Sequence, residues 1–288
     1  MAESTDVTTP VGETIALRDG TTMPAVGLGS LRMSPQQTDT TISSALRAGY
    51  RLIDTASVYG NEAAIGTAIR DSGIPREDLF LTTKVWNTDH GYTETLRAFE
   101  ASRARLGVDY VDLYLIHWPV TPIDRMLRSW EALIELQQRG DVKSIGVSNF
   151  MVKHLQALIA RFDELPVVNQ VEYHPLFQQD ELTGFQKESD IVIQAWAPLG
   201  KGGVLESPMV ASLGEKYGVA PAQVVLKWHL MRGRAVIPKS TNANRLAMNI
   251  DLDFSMSEPD LAVVDAMNED TRLGSHPDAP PTNGLPDQ

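Results

Sequence analysis

The chain has 288 residues, 42% of them hydrophobic, a formal net charge of −12 and no cysteine. That length permits one large α/β domain or two smaller ones, with a core able to stand without metal or disulfide staples. The acidic balance argues against a nucleic-acid partner, and zero cysteine excludes disulfides and thiolate metal sites and fits the cytoplasm.

Residues 1–13 (MAESTDVTTPVGE) are acidic and polar, lack a signal-peptide pattern, and are expected to form a disordered lead-in. No apolar stretch approaches the length that spans a bilayer, so no membrane partner is expected. TIAL, the turn RDGT and TMP read as a small hairpin. The first core strand is placed at Ala25 to Leu28, followed by RLID, LFLTTKV, YVDLYLIH, VKSIGVS, VVNQVEY, IVIQAW and AVIP. Helical spacing fills the gaps, with Leu96, Phe99 and Leu106 in one, Leu127, Trp130 and Ile134 in another, and a longer helix over Ala222 to Met231. Strands that read as continuous Val, Ile and Leu runs are covered on both faces, as in a parallel sheet. Eight βα units in this length suit a closed barrel better than an open doubly wound sheet, the alternative. The expected fold is therefore α/β: a single (β/α)8 TIM barrel over residues 14–277, with a short N-terminal β-hairpin and a short C-terminal tail, 278–288. The end of the chain, SHPDAPPTNGLPDQ, is too proline-rich for a helix and is either disordered or folded over the barrel mouth.

Asp54, Lys84 and His117 fall at or next to the C-terminal ends of strand-sized runs, and Tyr59 lies just beyond one. A barrel of this kind gathers its active site at that edge. Singly, each residue has an ordinary structural explanation as a turn residue, a half-buried aromatic, a solvated strand end or a core histidine. At one edge together they suggest proton donation to a carbonyl. A free tyrosine has a pKa near ~10, which a neighbouring ammonium lowers. Lys84 is expected to supply that charge, Asp54 to hold Lys84, and His117 to direct the carbonyl oxygen. The hydride must come from a nicotinamide cofactor.

GLGS (Gly27 to Ser30) does not extend to a G-x-G-x-x-G fingerprint, so the cofactor is not held in the Rossmann manner. The glycines there would let the backbone approach a ligand closely. IPKSTNANR, after the eighth strand, offers a phosphate site in which Lys239, Ser240 and Arg245 take part. Ser148 and Asn149 end the fifth strand, Gln170 the sixth and Trp196 the seventh. Amides there suit a carboxamide, and an indole suits a ring. A buried Gln170 needs a partner, and a ligand would serve. The six histidines show no metal-binding pair around a glutamate, and no G-x-S-x-G elbow occurs, so no metal is expected.

The segments MPAVGLGS, GYRLIDTASVYGNE, TTKVWNTDHGY, VDLYLIHWP, GVSNF, NQVEYHPL, WAPLG and IPKST occur in family order, and the chain resembles the aldo-keto reductases from about Thr14 to Pro277. KVWNTDHGY is most similar to the bacterial branch that includes 2,5-diketo-D-gluconate reductase. The resemblance implies NADPH (NADP+) as cofactor, Tyr59 as general acid, Lys84 and Asp54 lowering its pKa, and His117 orienting the substrate. It implies nicotinamide contacts from Ser148, Asn149, Gln170 and Trp196, and contacts to the adenosine 2′-phosphate from Lys239, Ser240 and Arg245. It adds Asn249 at the adenine and Gly29, Ser30, Leu31, Asp54, Leu199 and Thr241 along the cofactor. The departures are Asn242 and Ala243 where some relatives are basic, Met248 in place of a polar residue, and a tail without the long aromatic loop of animal enzymes. Val58, Trp86 and Trp118 are expected to line an apolar substrate pocket with His117.

The expected activity is reduction of small aldehydes, ketones, dicarbonyls such as methylglyoxal, or keto sugar acids by a cytoplasmic monomer. Two alternatives come from other classes. One is a non-catalytic nicotinamide-binding accessory protein of the same fold. The other is a barrel hydrolase or isomerase, which needs a second carboxylate facing Asp54, with Glu172 the obvious candidate.

Overall fold

The computed structural model describes residues 12–281. Most of the expected lead-in and the last seven residues of the expected tail lie outside that range. Two strands, β1 (Thr14–Ala16) and β2 (Thr22–Pro24), pair antiparallel as the hairpin. Eight more form one parallel sheet in strict chain order: β3 (Gly27–Gly29), β4 (Leu52–Asp54), β5 (Phe80–Val85), β6 (Val111–Ile116), β7 (Val142–Ser148), β8 (Val168–Glu172), β9 (Val192–Trp196) and β10 (Ala235–Val236). A parallel bridge between Val26 and Val236 joins the last strand to the first, and the Val236 amide donates to the Ala25 carbonyl at 2.8 Å. The sheet thus closes into a barrel rather than remaining open.

Among the described residues, ten helices, α1 (Pro35–Arg47), α2 (Glu62–Asp71), α3 (Tyr92–Leu106), α4 (Ile123–Arg139), α5 (Val152–Ile159), α6 (Asp180–Glu188), α7 (Pro208–Tyr217), α8 (Pro221–Met231), α9 (Ala243–Ile250) and α10 (Glu258–Asp265), lie between or after the barrel strands. Their boundaries follow local chemistry. Ser34 and Gln37 form a reciprocal capping box that starts α1, with Pro35 at its first turn. Gly107 and Gly140 take left-handed φ values of 66° and 80° to end α3 and α4. On α4, Met126, Trp130 and Leu133 form a helical stripe with no exposed surface.

Alternation along each strand divides the core in two. Ile53, Leu81, Tyr114, Ile116, Ile145 and Val171 face outward against the helices. Leu52, Phe80, Leu113, Leu115, Val168, Ala235 and Ile237 face inward and pack with Leu17 and Met23. Met23, from the hairpin, is fully buried and closes the N-terminal end. Burying such side chains contributes about 1.5–3 kcal/mol each. The apolar floor leaves the same inward register to end in polar groups at the other mouth: Asp54, Lys84, Ser148, Gln170, Glu172 and Trp196.

The first barrel strand is shifted from its expected position. Ala25 and Val26 make the closing bridge, and the ladder proper runs over β3. The described part of the tail contains no helix and crosses the mouth. Asp278 pairs with Lys153 at 2.6 Å, and the Pro281 carbonyl accepts from Asn87 Nδ2 at 2.7 Å.

Candidate active site

Register sets the site. Asp54 pairs with Thr82 across β4 and β5, Lys84 with Leu115, and Gln170 with both Ser148 and Gln194. Lys84 is fully buried, and its Nζ donates to Asp54 Oδ1 at 2.6 Å and to the Thr55 carbonyl at 2.8 Å. Gln170 Nε2 donates to Asp54 Oδ2 and to Gln194 Oε1, both at 2.7 Å. Burial pushes the Asp54 carboxyl up and the Lys84 ammonium down, and their direct contact opposes both shifts.

Tyr59 sits in the single turn Ser57–Tyr59 after β4, tied down where Ser57 Oγ donates to the Lys84 carbonyl at 3.0 Å. Its hydroxyl lies 3.5 Å from His117 Nε2, and Lys84 Nζ lies 5.2 Å from its ring centroid. His117 packs edge-on against Trp86, with ring centroids 5.0 Å apart. Burial, then the positive charge of Lys84, holds the imidazole well below the ordinary histidine range. The expected lowering of Tyr59 by Lys84 is not what the structure gives. Burial pushes the phenol well above its usual value, and the Asp54 carboxylate adds to the rise. The Lys84 ammonium is engaged by Asp54 and Thr55, so desolvation outweighs its effect on the phenol.

The remaining sequence-selected residues gather around this core. Ser148 Oγ donates to the Gln170 carbonyl at 2.8 Å. Asn149, at a left-handed φ of 62°, donates through Nδ2 to the His117 carbonyl and accepts from Trp196 Nε1, each at 2.9 Å. Gln170, buried and in need of a partner that a ligand could have supplied, finds protein partners for its amide nitrogen in Asp54 and Gln194. Gly29 differs in the reason for its glycine. A Cβ there would lie 2.8 Å from the Ile237 carbonyl oxygen, so closure against the neighbouring strand already demands it. Ser30 is buried with an unpartnered Oγ, Leu31 is exposed beside it, and Leu199 is partly buried after β9.

Lys239 and Thr241 are exposed between β10 and α9, and Ser240 is buried beside them. Asn242, which stands where some relatives are basic, caps α9 by accepting from the Arg245 amide at 3.1 Å. Neither Lys239 nor Arg245 has an ion pair among the described residues, which leaves two free cations at a helix N-terminus. That arrangement fits a phosphate. Asn249 is buried on the same helix, and Met248 is exposed. Trp86 and Trp118 are buried at the mouth, and Val58 is partly buried. Val58 and Trp86 also line a groove of about 400 Å³ with Ser57, Glu62 and Arg105.

Two contributors escaped the sequence reading. Gln194 braces Gln170, and its signal was a polar residue at an inward position of an apolar strand. The Thr55 carbonyl, which takes the second Lys84 proton, carries no side-chain signal. Glu172, the candidate second carboxylate, is engaged elsewhere. Its oxygens accept from the Leu273 and Gly274 amides.

Residues 22–269 match the aldo/keto reductase family. The chain is similar to an aldo-keto reductase of Mycolicibacterium smegmatis, 47% identical over 91% of this chain and 96% of that one. It is similar also to the methylglyoxal reductase DkgA of Escherichia coli K12, 44% identical over 92% and 96%. A mutant of Gox0644 solved in complex with NADPH superposes with a TM-score of 0.89 at 42% identity, covering 92% of this chain and 97% of that one. The chain belongs to the aldo/keto reductase family and is an oxidoreductase.

Proposed function

We propose that this member of the aldo/keto reductase family reduces small aldehydes, ketones and dicarbonyls of the methylglyoxal kind with NADPH. The observation that carries the reading is the pair of donors, Tyr59 Oη and His117 Nε2, facing each other across 3.5 Å beside the buried Lys84–Asp54 pair. One carbonyl oxygen seated against that gap can accept from both groups at ordinary hydrogen-bond length.

His117, kept neutral, offers its Nε2 proton to the oxygen, with Nδ1 unprotonated in that tautomer. Tyr59, its pKa raised, keeps its proton at neutral pH and is ready to give it. When bound, the cofactor would supply the hydride for the carbonyl carbon, and the carbonyl oxygen would then carry developing negative charge. Tyr59 Oη transfers its proton to that oxygen, and the resulting phenolate lies near the Lys84 ammonium. Asp54 and the Thr55 carbonyl hold Lys84 in place for this step. Ser148, Asn149, Gln170 and Trp196 flank the nicotinamide. Gly29, Ser30, Leu31 and Leu199 would run along the cofactor, and Lys239, Ser240, Thr241, Arg245 and Asn249 would hold its adenosine end. Val58, Trp86 and Trp118 exclude water around the substrate.

The test is loss of NADPH absorbance with methylglyoxal, a nitrobenzaldehyde and a diketo sugar acid, with Tyr59→Phe in parallel. Loss of a general acid is expected to lower kcat about 10²–10⁴-fold while cofactor affinity holds. Binding of NADPH by the wild type with no turnover of any carbonyl would instead favour an accessory protein.

A further inference from the structure

Glu172 ends β8 with 1% of its surface exposed, yet the proposed chemistry gives it no part. Its Oε1 accepts from the Leu273 amide at 2.6 Å and its Oε2 from the Gly274 amide at 2.8 Å. His174 Nε2 lies 3.2 Å from Oε1, and Arg272 Nη1 lies 3.9 Å from Oε2. A buried carboxylate with two backbone amides is a strong tether, because charge-assisted hydrogen bonds are shorter and stronger than neutral ones. The same stretch of tail is gripped from the other side. Lys201, in the loop after β9, donates to the Leu273 carbonyl at 2.9 Å.

The tethered backbone touches Trp196. A Cβ on Gly274 would lie 2.3 Å from Trp196 Cη2 and 2.8 Å from Glu172 Oε2, so the tail lies directly against the six-membered edge of the indole. The five-membered edge is held at its nitrogen by Asn149 Oδ1. Trp196 is therefore fixed at both ends, by a strand-end amide and by a tail that Glu172 locks down. A flat ring serves as a stacking surface only if its plane is held, and this one is only partly buried.

We propose that Glu172 is a positioning residue for the cofactor: by clamping Leu273 and Gly274 it presses the tail against Trp196 and sets the plane against which the nicotinamide rests. The inference rests on the reading of Trp196 as the stacking surface. It differs from a paired-acid role, since both Glu172 oxygens are engaged by the tail.

Three variants of the full chain test it: Glu172→Gln, which presents an amide NH2 to one of the two backbone donors, Gly274→Ala, which pushes on the indole edge, and Trp196→Phe. In cofactor-free protein, Glu172→Gln is expected to speed hydrogen exchange at the Leu273 and Gly274 amides. Loss of one charge-assisted bond should weaken NADP+ binding about tenfold in Glu172→Gln, and Gly274→Ala should weaken it likewise. Glu172→Gln added to Trp196→Phe should produce no further loss, because the surface it positions is gone. Faster exchange in Glu172→Gln with unchanged NADP+ affinity would overturn the inference and leave Glu172 as a strap that only stabilises the tail. Unchanged affinity in Trp196→Phe would overturn it through its premise, and the exchange measurement separates that failure from a failure of the clamp.

Discussion

Removing either half of the Lys84–Asp54 pair is expected to destabilise the barrel with opposite dependence on pH. The two charges are 2.6 Å apart, with side-chain exposures of 0% and 3%. Deleting one partner of such a pair leaves an uncompensated charge in the interior and costs about 3–5 kcal/mol. In Lys84→Met the burden passes to Asp54, whose carboxyl burial already pushes up. Without its cation, Asp54 stays protonated in the fold while the unfolded chain gives up its proton. Stability then falls as pH rises above the ordinary carboxylate range, by up to about 1.4 kcal/mol per pH unit. In Asp54→Asn the burden passes to Lys84, whose ammonium burial pushes down. There the unfolded chain holds the extra proton, so stability rises with pH below the ordinary lysine range at a similar slope. Over two pH units near neutrality each single variant should drift from wild type by roughly 3 kcal/mol, in opposite directions. The double variant Lys84→Met/Asp54→Asn should recover most of the loss with a flat profile, since neutral groups of similar shape replace a buried pair at little cost. Urea unfolding followed by circular dichroism across a pH series reads all three slopes. Parallel slopes in the single variants, or a double variant that loses the sum of both, would refute the reasoning.

Arg245→Ala removes one of the two free cations beside α9. Loss of a charged hydrogen bond costs about 1.5–3 kcal/mol, so NADPH should bind roughly ten- to a hundredfold more weakly. NADH affinity should hold, and an equal loss for both cofactors in titration would remove Arg245 from the 2′-phosphate. Acid should unfold the protein through its buried histidines. Burial holds His90 neutral down to about pH 3, against 6.5 for a free histidine, and His117 and His229 lie well below their ordinary value. These groups are neutral in the fold and charged in the unfolded chain, so their contribution is present above the ordinary histidine range and lost as pH falls below it. From pH 7 to 5 each removes about 2 kcal/mol, and together about 6, comparable with the stability of many domains. Circular dichroism that stays flat from neutrality to about pH 4 would count against this balance.

Local pattern revealed the strands and the edge where the site lies. VKSIGVS coincides with β7 because its ends are set by local signals, the left-handed Gly140 before it and the left-handed Asn149 after it. Ala25 and Val26 lie ahead of the β3 ladder because their pairing partner is Val236, some 210 positions away, and no local signal reports a closing seam. The same division holds in the site. Asp54, Lys84, His117 and Gln170 were legible because alternation carries one inward register from an apolar floor to a polar mouth. The bracing by Gln194, the Thr55 carbonyl and the tail locked by Glu172 depend on contacts between distant segments. The direction of the Tyr59 shift depends on burial, which the assembled barrel creates.

That shift changes what Lys84 has to do. A phenol lowered towards neutrality would leave much of the protein as phenolate before any carbonyl arrived, with no proton to give. A phenol raised by burial remains protonated, and the oxygen it serves, an alkoxide in the making, is the stronger base by a wide margin. Under the proposed mechanism, the transfer therefore needs no acidic tyrosine in the resting protein. What it needs is a counter-charge once the phenolate has formed. Lys84 Nζ, 5.2 Å from the ring centroid and fixed by Asp54 and Thr55, is held ready to supply one without being free to wander. On this argument Asp54 serves the reaction by immobilising a cation, and the buried pair stabilises the product of proton transfer more than it tunes the donor.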